Sequence, residues 1–359
     1  MWQKKKIQKN LYVVLGLILI LSIGVVYCNT YVYAYDMGLK SVNNIDEYVL
    51  QLQDLGFEIN SKDVIVKFLS DFDGNKYVLL ENKPTGYYIF DYNSGLFIEG
   101  SPESTSPYYG EEQRLIYAGC KNYIKMSKNG KYINTISKTE YSAKDIRDIK
   151  TIHSIIHSQK EDKSSVKGVS FSNTYKVNNY KCISSLKQNF GYVSGGYCGY
   201  IAASMLISYN FHSKNSAWIS NIIYYDSSEG GPSTALTRFL IRIGTEGYGY
   251  GASTVSTSIE KVMEYYCSYY NIKYDDTSVY LPTFNKVESH IQDNHAVILF
   301  GNMPSEKEGE GRINHAVLCY GVLDGIITDY YIVHFGWKGY SNVYISKTNI
   351  LMGSMYSCW

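Results

Sequence analysis

A cysteine stands where a glycine-rich stretch meets a predicted helix, and its surroundings suit nucleophilic chemistry. Cys198 follows Gly-Gly-Tyr, and apolar residues then recur at helical spacing: Ile201, Ala202, Met205 and Tyr209. Cys198 is therefore predicted in the first turn of a helix, where the positive end of the helix dipole favours a thiolate. Because free cysteine is among the most buried residue types, a purely structural role is the alternative.

A thiol nucleophile needs a base within hydrogen-bond reach, and two of the seven histidines suit that role best. His295 and His315 each follow Asn and precede Ala-Val at the start of a predicted strand. Only His315 is followed by further strand and then by His334-Phe-Gly-Trp337. We therefore predict that His315 is the base and that His295 is a packed residue at a strand entrance.

Four other histidines are poorer candidates for the base. His153 and His157 precede a predicted linker, and His212 follows the cysteine helix too closely to fold back on its start. His290 falls in a short predicted helix before the strands, and we expect it to be solvated.

The base needs a third group to orient it, and His334 follows at the predicted end of a later strand. A neutral imidazole there can accept a hydrogen bond from the Nδ1–H of His315, and protonation at low pH would end that capacity. The indole of Trp337 can cover the bond and keep water away. The structural alternatives are a solvated histidine and a core tryptophan.

The order of these motifs resembles the papain-like cysteine peptidases: a cysteine at a helix start, His-Ala-Val on a strand, then X-Phe-Gly-Trp. It is most similar to the streptopain group of secreted bacterial proteases, and the Cys-Gly-x-x-Ala-Ala-x-Met helix is also similar to bacteriocin-processing peptidases. The resemblance implies an α+β fold, in which a papain-like domain with a helical half and an antiparallel sheet half follows a small α+β propeptide domain. It implies that Cys198 is the nucleophile, that His315 is the general base and then acid, and that no metal or other cofactor takes part.

Two positions depart from the family pattern. His334 stands where the family usually has Asn. The family's oxyanion hole combines the backbone N–H of the cysteine, here Cys198, with a Gln side chain several residues before it. Tyr192 occupies the usual place of that glutamine, so the resemblance leaves Gln188 as the nearest candidate.

The chain divides into four predicted segments. Residues 1–34 carry a basic head and an apolar run, which is typical of a cleaved secretory signal peptide, with an uncleaved membrane anchor as the alternative. Residues 35–157 combine an amphipathic helix with short strands separated by turns, which predicts a meander, and their motifs resemble the streptopain propeptide. Residues 158–172 are a polar linker, and residues 173–359 place helices before strands, as in α+β domains.

The charge composition limits the classes of binding partner that we expect. Lys plus Arg number 34 and Asp plus Glu 33, a balance that argues against nucleic acid or an anionic membrane surface. The predicted partner is a protein or peptide substrate, and a membrane is involved only through the signal segment. The seven cysteines lack CxxC pairs, so they predict neither a zinc site nor a dense disulfide framework. A bridge between Cys182 and Cys358 stays open.

Three functions are compatible with this sequence. The first is a secreted cysteine endopeptidase, made as a zymogen, that works through a thiolate and an acyl-enzyme. The second is a cell-wall amidase or transferase of related fold, although such amidases normally have a shorter Cys-to-His interval. The third is a non-catalytic secreted binding module, which would suit the 38 tyrosines and would not require Cys198 to meet His315 or His334.

Overall fold

The computed structural model describes residues 45–112, 114–120, 122–158, 171–186, 197–219, 224–227, 231–251, 255–302, 315–325 and 328–359. The predicted signal peptide, most of the predicted linker and Gln188 lie outside these residues. The chain divides into two compact units, Met1–Glu47 and Tyr48–Trp359, and the architecture below is that of the second.

The N-terminal part of the described chain, residues 45–158, is built, as predicted, from helices and an antiparallel meander. Its helices are α1 (Ile45–Asp54) and α2 (Ala143–Ser158). Its strands are β1 (Val64–Ser70), β2 (Lys76–Asn82), β3 (Tyr87–Asp91), β4 (Phe97–Ser101), β5 (Arg114–Tyr117), β6 (Tyr123–Met126) and β7 (Tyr132–Asn134). Strands β1 to β4 pair with their sequence neighbours in antiparallel register. Helix α2 closes one end of this sheet, because its Ile149 packs in a core with Ile116 and Ile124.

The C-terminal part, residues 171–359, places most of its helices before most of its strands, again as predicted. They are α3 (Lys181–Ser184), α4 (Cys198–Ser213), α5 (Thr234–Arg242), α6 (Ser256–Tyr269) and α7 (Phe284–Gln292). Helix α4 is the central one, since every residue from Gly199 to Asn210 is buried. A helix surrounded on all sides belongs inside a core. The periodicity predicted a single apolar face, so α4 is buried more completely than the sequence indicated.

Strands from both parts form one sheet. The C-terminal strands are β8 (Phe171–Lys176), β9 (Tyr225–Asp226), β10 (Gly231–Pro232), β11 (Asp276–Tyr280), β12 (Val297–Asn302), β13 (His315–Gly325), β14 (Tyr330–His334), β15 (Val343–Ser346) and β16 (Leu351–Cys358). Within the described ranges this sheet has 14 strands in the order β11-β16-β12-β13-β14-β15-β4-β3-β2-β1-β5-β6-β7, with β8 paired to β13. Strands β9 and β10 pair with each other in a second sheet. The combination of these sheets with separate helices is an α+β architecture.

The two parts are joined where β4 pairs with β15. Glu99 of β4 pairs with Ile345, and its carboxyl group is wholly buried. Three tyrosine hydroxyls donate to that group: those of Tyr87, Tyr117 and Tyr123. Burial raises the pKa of Glu99 above its usual range. Asn349 of the C-terminal part donates to the Tyr117 hydroxyl at 2.8 Å, so the buried network crosses the junction.

The sequence left a bridge between Cys182 and Cys358 open. Both are free thiols, so this bridge is not formed.

None of the helices in the described ranges combines the length and apolar character needed to cross a membrane.

Candidate active site

Cys198 is the first residue of α4, which confirms the predicted helix start. The helix ladder begins there, because the Ile201 N–H donates to the carbonyl O of Tyr197 at 3.1 Å. The half-buried thiol lies against the first residues of β13, where the backbone N–H of Ala316 donates to Cys198 Sγ at 3.3 Å. A helix N-terminus and a direct N–H donor both stabilise negative charge on sulfur.

His315 immediately precedes that donor. It is the first residue of β13, pairs with Gly301 of β12 and is only 5% exposed. Its Nε2 is buried and has no hydrogen-bond partner among the described residues. Leaving a buried polar atom without a partner costs about 1–3 kcal/mol, so such atoms are uncommon and are one mark of a reactive site.

Trp337 lies beside His315. The two ring centroids are 6.1 Å apart with an interplanar angle of 50°, and the indole is buried. A short turn carries Trp337, because the Phe335 N–H donates to the Tyr340 carbonyl O at 2.9 Å and the Tyr340 N–H donates to the Trp337 carbonyl O at 3.1 Å. This turn keeps the indole against the start of β13.

Gly336 allows the same turn to approach the cysteine helix. Its φ of +77° lies in the left-handed region, which glycine adopts without steric cost. A Cβ at this position would lie 2.8 Å from Cγ2 of Ile201 in α4. The turn that carries Trp337 therefore packs directly on the first turn of the helix that carries Cys198.

His334 ends β14 and is wholly buried, and both of its ring nitrogens have partners. Nε2 lies 3.1 Å from the carbonyl O of Leu186, and Nδ1 accepts from the Gly336 N–H at 2.8 Å. No hydrogen bond among the described contacts joins His334 to His315. The orienting role of His334 therefore stays a prediction.

The oxyanion hole also stays a prediction. Its backbone donor, the N–H of Cys198, is one of the first N–H groups of α4, which have no partner within their own helix. Its predicted side-chain donor, Gln188, lies outside the described residues.

The prediction for His290 was wrong, because this histidine is buried rather than solvated. It is 7% exposed, and burial lowers its pKa. The reason is Trp359, whose ring centroid lies 5.7 Å from that of His290.

His295 is packed at its strand entrance, as predicted. Its ring stacks on Trp359 with centroids 4.0 Å apart and planes 8° apart. Burial, together with the charges of Lys214 and His290, lowers the pKa of His295 to about 4.

Two backbone groups of the site were missed by sequence reasoning. They are the N–H of Ala316 and the carbonyl O of Leu186. Every residue other than proline carries such groups, so no residue type marks them, and only the fold shows which one meets a functional side chain. In the described part of the chain no group of three or more His, Cys, Asp or Glu side chains is arranged to hold a metal ion.

Comparison with known proteins does not assign the chain to a family. No protein-family model matches the chain, and no curated protein matches it. Among solved structures, a fragment of Prevotella intermedia prointerpain A is similar, with a TM-score of 0.41 and 10% sequence identity. The match covers 81% of this chain and 98% of that one. A TM-score this low does not establish a common fold, so the function has to be argued from the site itself.

Proposed function

We propose that the protein is a secreted cysteine endopeptidase made as a zymogen, with Cys198 as nucleophile and His315 as general base. One observation carries this proposal. The Ala316 N–H lies 3.3 Å from Cys198 Sγ, and this contact brings the thiol to the residue next to the buried imidazole of His315. In this proposal residues 173–359 are a papain-like domain, in which the helices around α4 form one half and the strands around β13 form the other.

The proposed reaction has two stages. The thiolate of Cys198 attacks the carbonyl carbon of the scissile peptide bond, and the tetrahedral oxyanion faces the backbone N–H of Cys198 and the side chain of Gln188. The protonated His315 gives its proton to the leaving amine as the C–N bond breaks, which leaves an acyl-enzyme thioester. Water then attacks the thioester while His315 takes its proton, and the acid and the thiol are released.

Contacts at the junction of the two parts support the zymogen. Tyr340, which closes the turn that carries Trp337, donates to the carbonyl O of Thr105 at 3.3 Å. Asn342 donates to Glu103 at 3.3 Å. The N-terminal part is thus connected to the turn beside His315. In our proposal residues 35–157 are a propeptide, cleavage within residues 158–172 cuts the chain between it and the peptidase domain, and residues 1–34 direct secretion.

Hydrolysis of casein by the secreted full chain, with and without a thiol-alkylating epoxide, tests this function. Cys198→Ala is expected to abolish hydrolysis and also processing near residues 158–172, read by N-terminal sequencing. Cys182→Ala is the matched control, because this half-buried thiol has its pKa raised to about 11 by burial and should be no nucleophile at neutral pH. Unimpaired casein hydrolysis by Cys198→Ala would refute the proposal. A protein that digests peptidoglycan but does not digest casein would favour the amidase.

A further inference from the structure

We propose that His334 is a positioning residue that ties Leu186 to the turn that follows β14. This inference rests on the proposed function, because it assigns His334 a task other than orienting the base. The assignment follows from which atoms of the imidazole meet which backbone groups.

The hydrogen-bond partners define the form of the ring. A carbonyl oxygen only accepts, so the Nε2 that lies 3.1 Å from Leu186 O carries the hydrogen. The Gly336 N–H only donates, so the Nδ1 that lies 2.8 Å from it is the acceptor. His334 is therefore the neutral tautomer with hydrogen on Nε2. In this tautomer the lone pair of Nδ1 accepts from Gly336 while Nε2–H donates to Leu186.

The two partners of His334 are fixed by packing. Leu186 is 4% exposed, and a Cβ on Gly231 would lie only 2.0 Å from its Cδ2, so this side chain fills the space beside that glycine. Gly336 lies against Ile201 of α4. The buried imidazole thus bridges Leu186 and the turn that packs on α4.

The backbone groups need this bridge. A carbonyl group buried away from water costs free energy when it has no partner, and the same holds for a backbone N–H. The rigid ring of His334 forms a hydrogen bond with each of these groups, the Leu186 carbonyl and the Gly336 N–H. Its removal would free Leu186 and Gly336 to move relative to each other, and with Gly336 the turn of Trp337 that packs on α4.

Two amide substitutions separate the two roles of His334. The Asn amide is attached at Cγ, so its oxygen can replace Nδ1 as the acceptor for Gly336, but its nitrogen falls short of Leu186. The Gln amide is one bond longer, so its nitrogen can replace Nε2 as the donor to Leu186. His334→Ala loses both contacts. A base-orienting residue needs an acceptor and tolerates Asn, whereas a residue that holds Leu186 needs a donor and tolerates Gln.

The first readout is the pH profile of kcat/KM for peptide hydrolysis. We expect His334→Gln to keep most of the activity, and His334→Asn and His334→Ala to lose about tenfold or more, as the loss of a buried hydrogen bond implies. The pH profile should fall in height without moving, because the base itself is unchanged. Activity of His334→Asn equal to or above that of His334→Gln, or a displaced pH profile, would overturn the positioning role.

The second readout does not depend on catalysis. Amide hydrogen exchange in peptides that cover residues 183–186 and 197–200 should speed up in His334→Asn and His334→Ala but not in His334→Gln. His290→Asn is the control for loss of a buried imidazole elsewhere, and it should leave this exchange unchanged. If the wild type hydrolyses no peptide, the proposed function fails, and the exchange result still decides the role of His334. Unchanged exchange in all three His334 variants would contradict it.

Discussion

The backbone N–H of Ala316 donates to the Sγ of Cys198 at 3.3 Å, although 118 residues separate them in the sequence. The N-terminus of α4 therefore meets the first two residues of β13, one of which is His315. Strand β13 thus brings a backbone donor from Ala316 to the thiol, and His315 is the residue next to that donor. The elements that carry the proposed nucleophile and the proposed base are both largely buried.

Gly336 and Gly339 form a matched pair for testing how the turn that carries Trp337 supports the site. Both have positive φ, at +77° and +84°, but only at Gly336 would a Cβ meet a neighbour, Ile201 at 2.8 Å. Gly339→Ala should cost about 1 kcal/mol of unfolding free energy from backbone strain alone. Gly336→Ala should cost about 3 kcal/mol because crowding against α4 is added.

Chemical denaturation of both variants measures these costs, and peptide hydrolysis measures their effect on the site. We expect a large loss of activity in Gly336→Ala and little change in Gly339→Ala. Equal losses of stability in the two variants would show that the turn does not press on the cysteine helix.

The junction of the two parts should survive cleavage of the linker. Strand pairing between β4 and β15 and the buried bond from Asn349 to Tyr117 do not depend on the intervening chain. Trypsin cleavage within residues 159–170 should therefore leave two fragments that elute together in size-exclusion chromatography. Asn349→Ala should lower the urea concentration that separates them, since a buried hydrogen bond worth about 1 kcal/mol is lost.

Lys131→Ala is the control for this experiment. It removes an ion pair with Glu140 in which both side chains are more than half exposed and both belong to the N-terminal part. Exposed pairs contribute little, so fragment separation should be unchanged. Fragments that part without denaturant would contradict the buried junction.

Acid sensitivity should arise partly at His295. Burial and nearby positive charge lower its pKa from 6.5 to about 4, so the folded state favours the neutral ring. Its contribution to stability is complete above about pH 6.5 and is lost as the pH falls towards 4. His295→Phe keeps a ring stacked on Trp359 and removes the titration, so its unfolding free energy should decline less between these pH values. Parallel pH profiles of wild type and variant would rule out this contribution.

The sequence predicted most elements of the fold because their signals are local. Alternation and turn residues gave the meander of β1 to β4, and helical spacing after Cys198 gave α4. The continuous sheet was not predictable, because pairing of Glu99 with Ile345 depends on which strand edges meet in space. The same is true of β16, whose pairing with β12 and β11 is non-local.

Those parts of the candidate site that consist of side chains were predictable from the sequence. Those that consist of backbone groups were not. Cys198 and His315 were identified by residue type and by their places at a helix start and a strand start. His334 was identified by its place at a predicted strand end before Phe-Gly-Trp, but its burial was not predicted. Its partners Leu186 and Gly336 contribute backbone atoms, which no sequence pattern distinguishes.

Alkylation of Cys198 by iodoacetamide at pH 6, followed in the full chain by mass spectrometry, tests the pairing of Cys198 with His315 most directly. We expect Cys198 to react fastest of the six cysteines outside the signal segment, and the half-buried Cys182, whose pKa burial raises to about 11, to stay almost unmodified. In His315→Ala the rate at Cys198 should fall at least about tenfold, because the imidazolium that stabilises the thiolate is gone. A Cys198 that reacts no faster than Cys182, or that is indifferent to His315→Ala, would contradict the proposed catalytic pair.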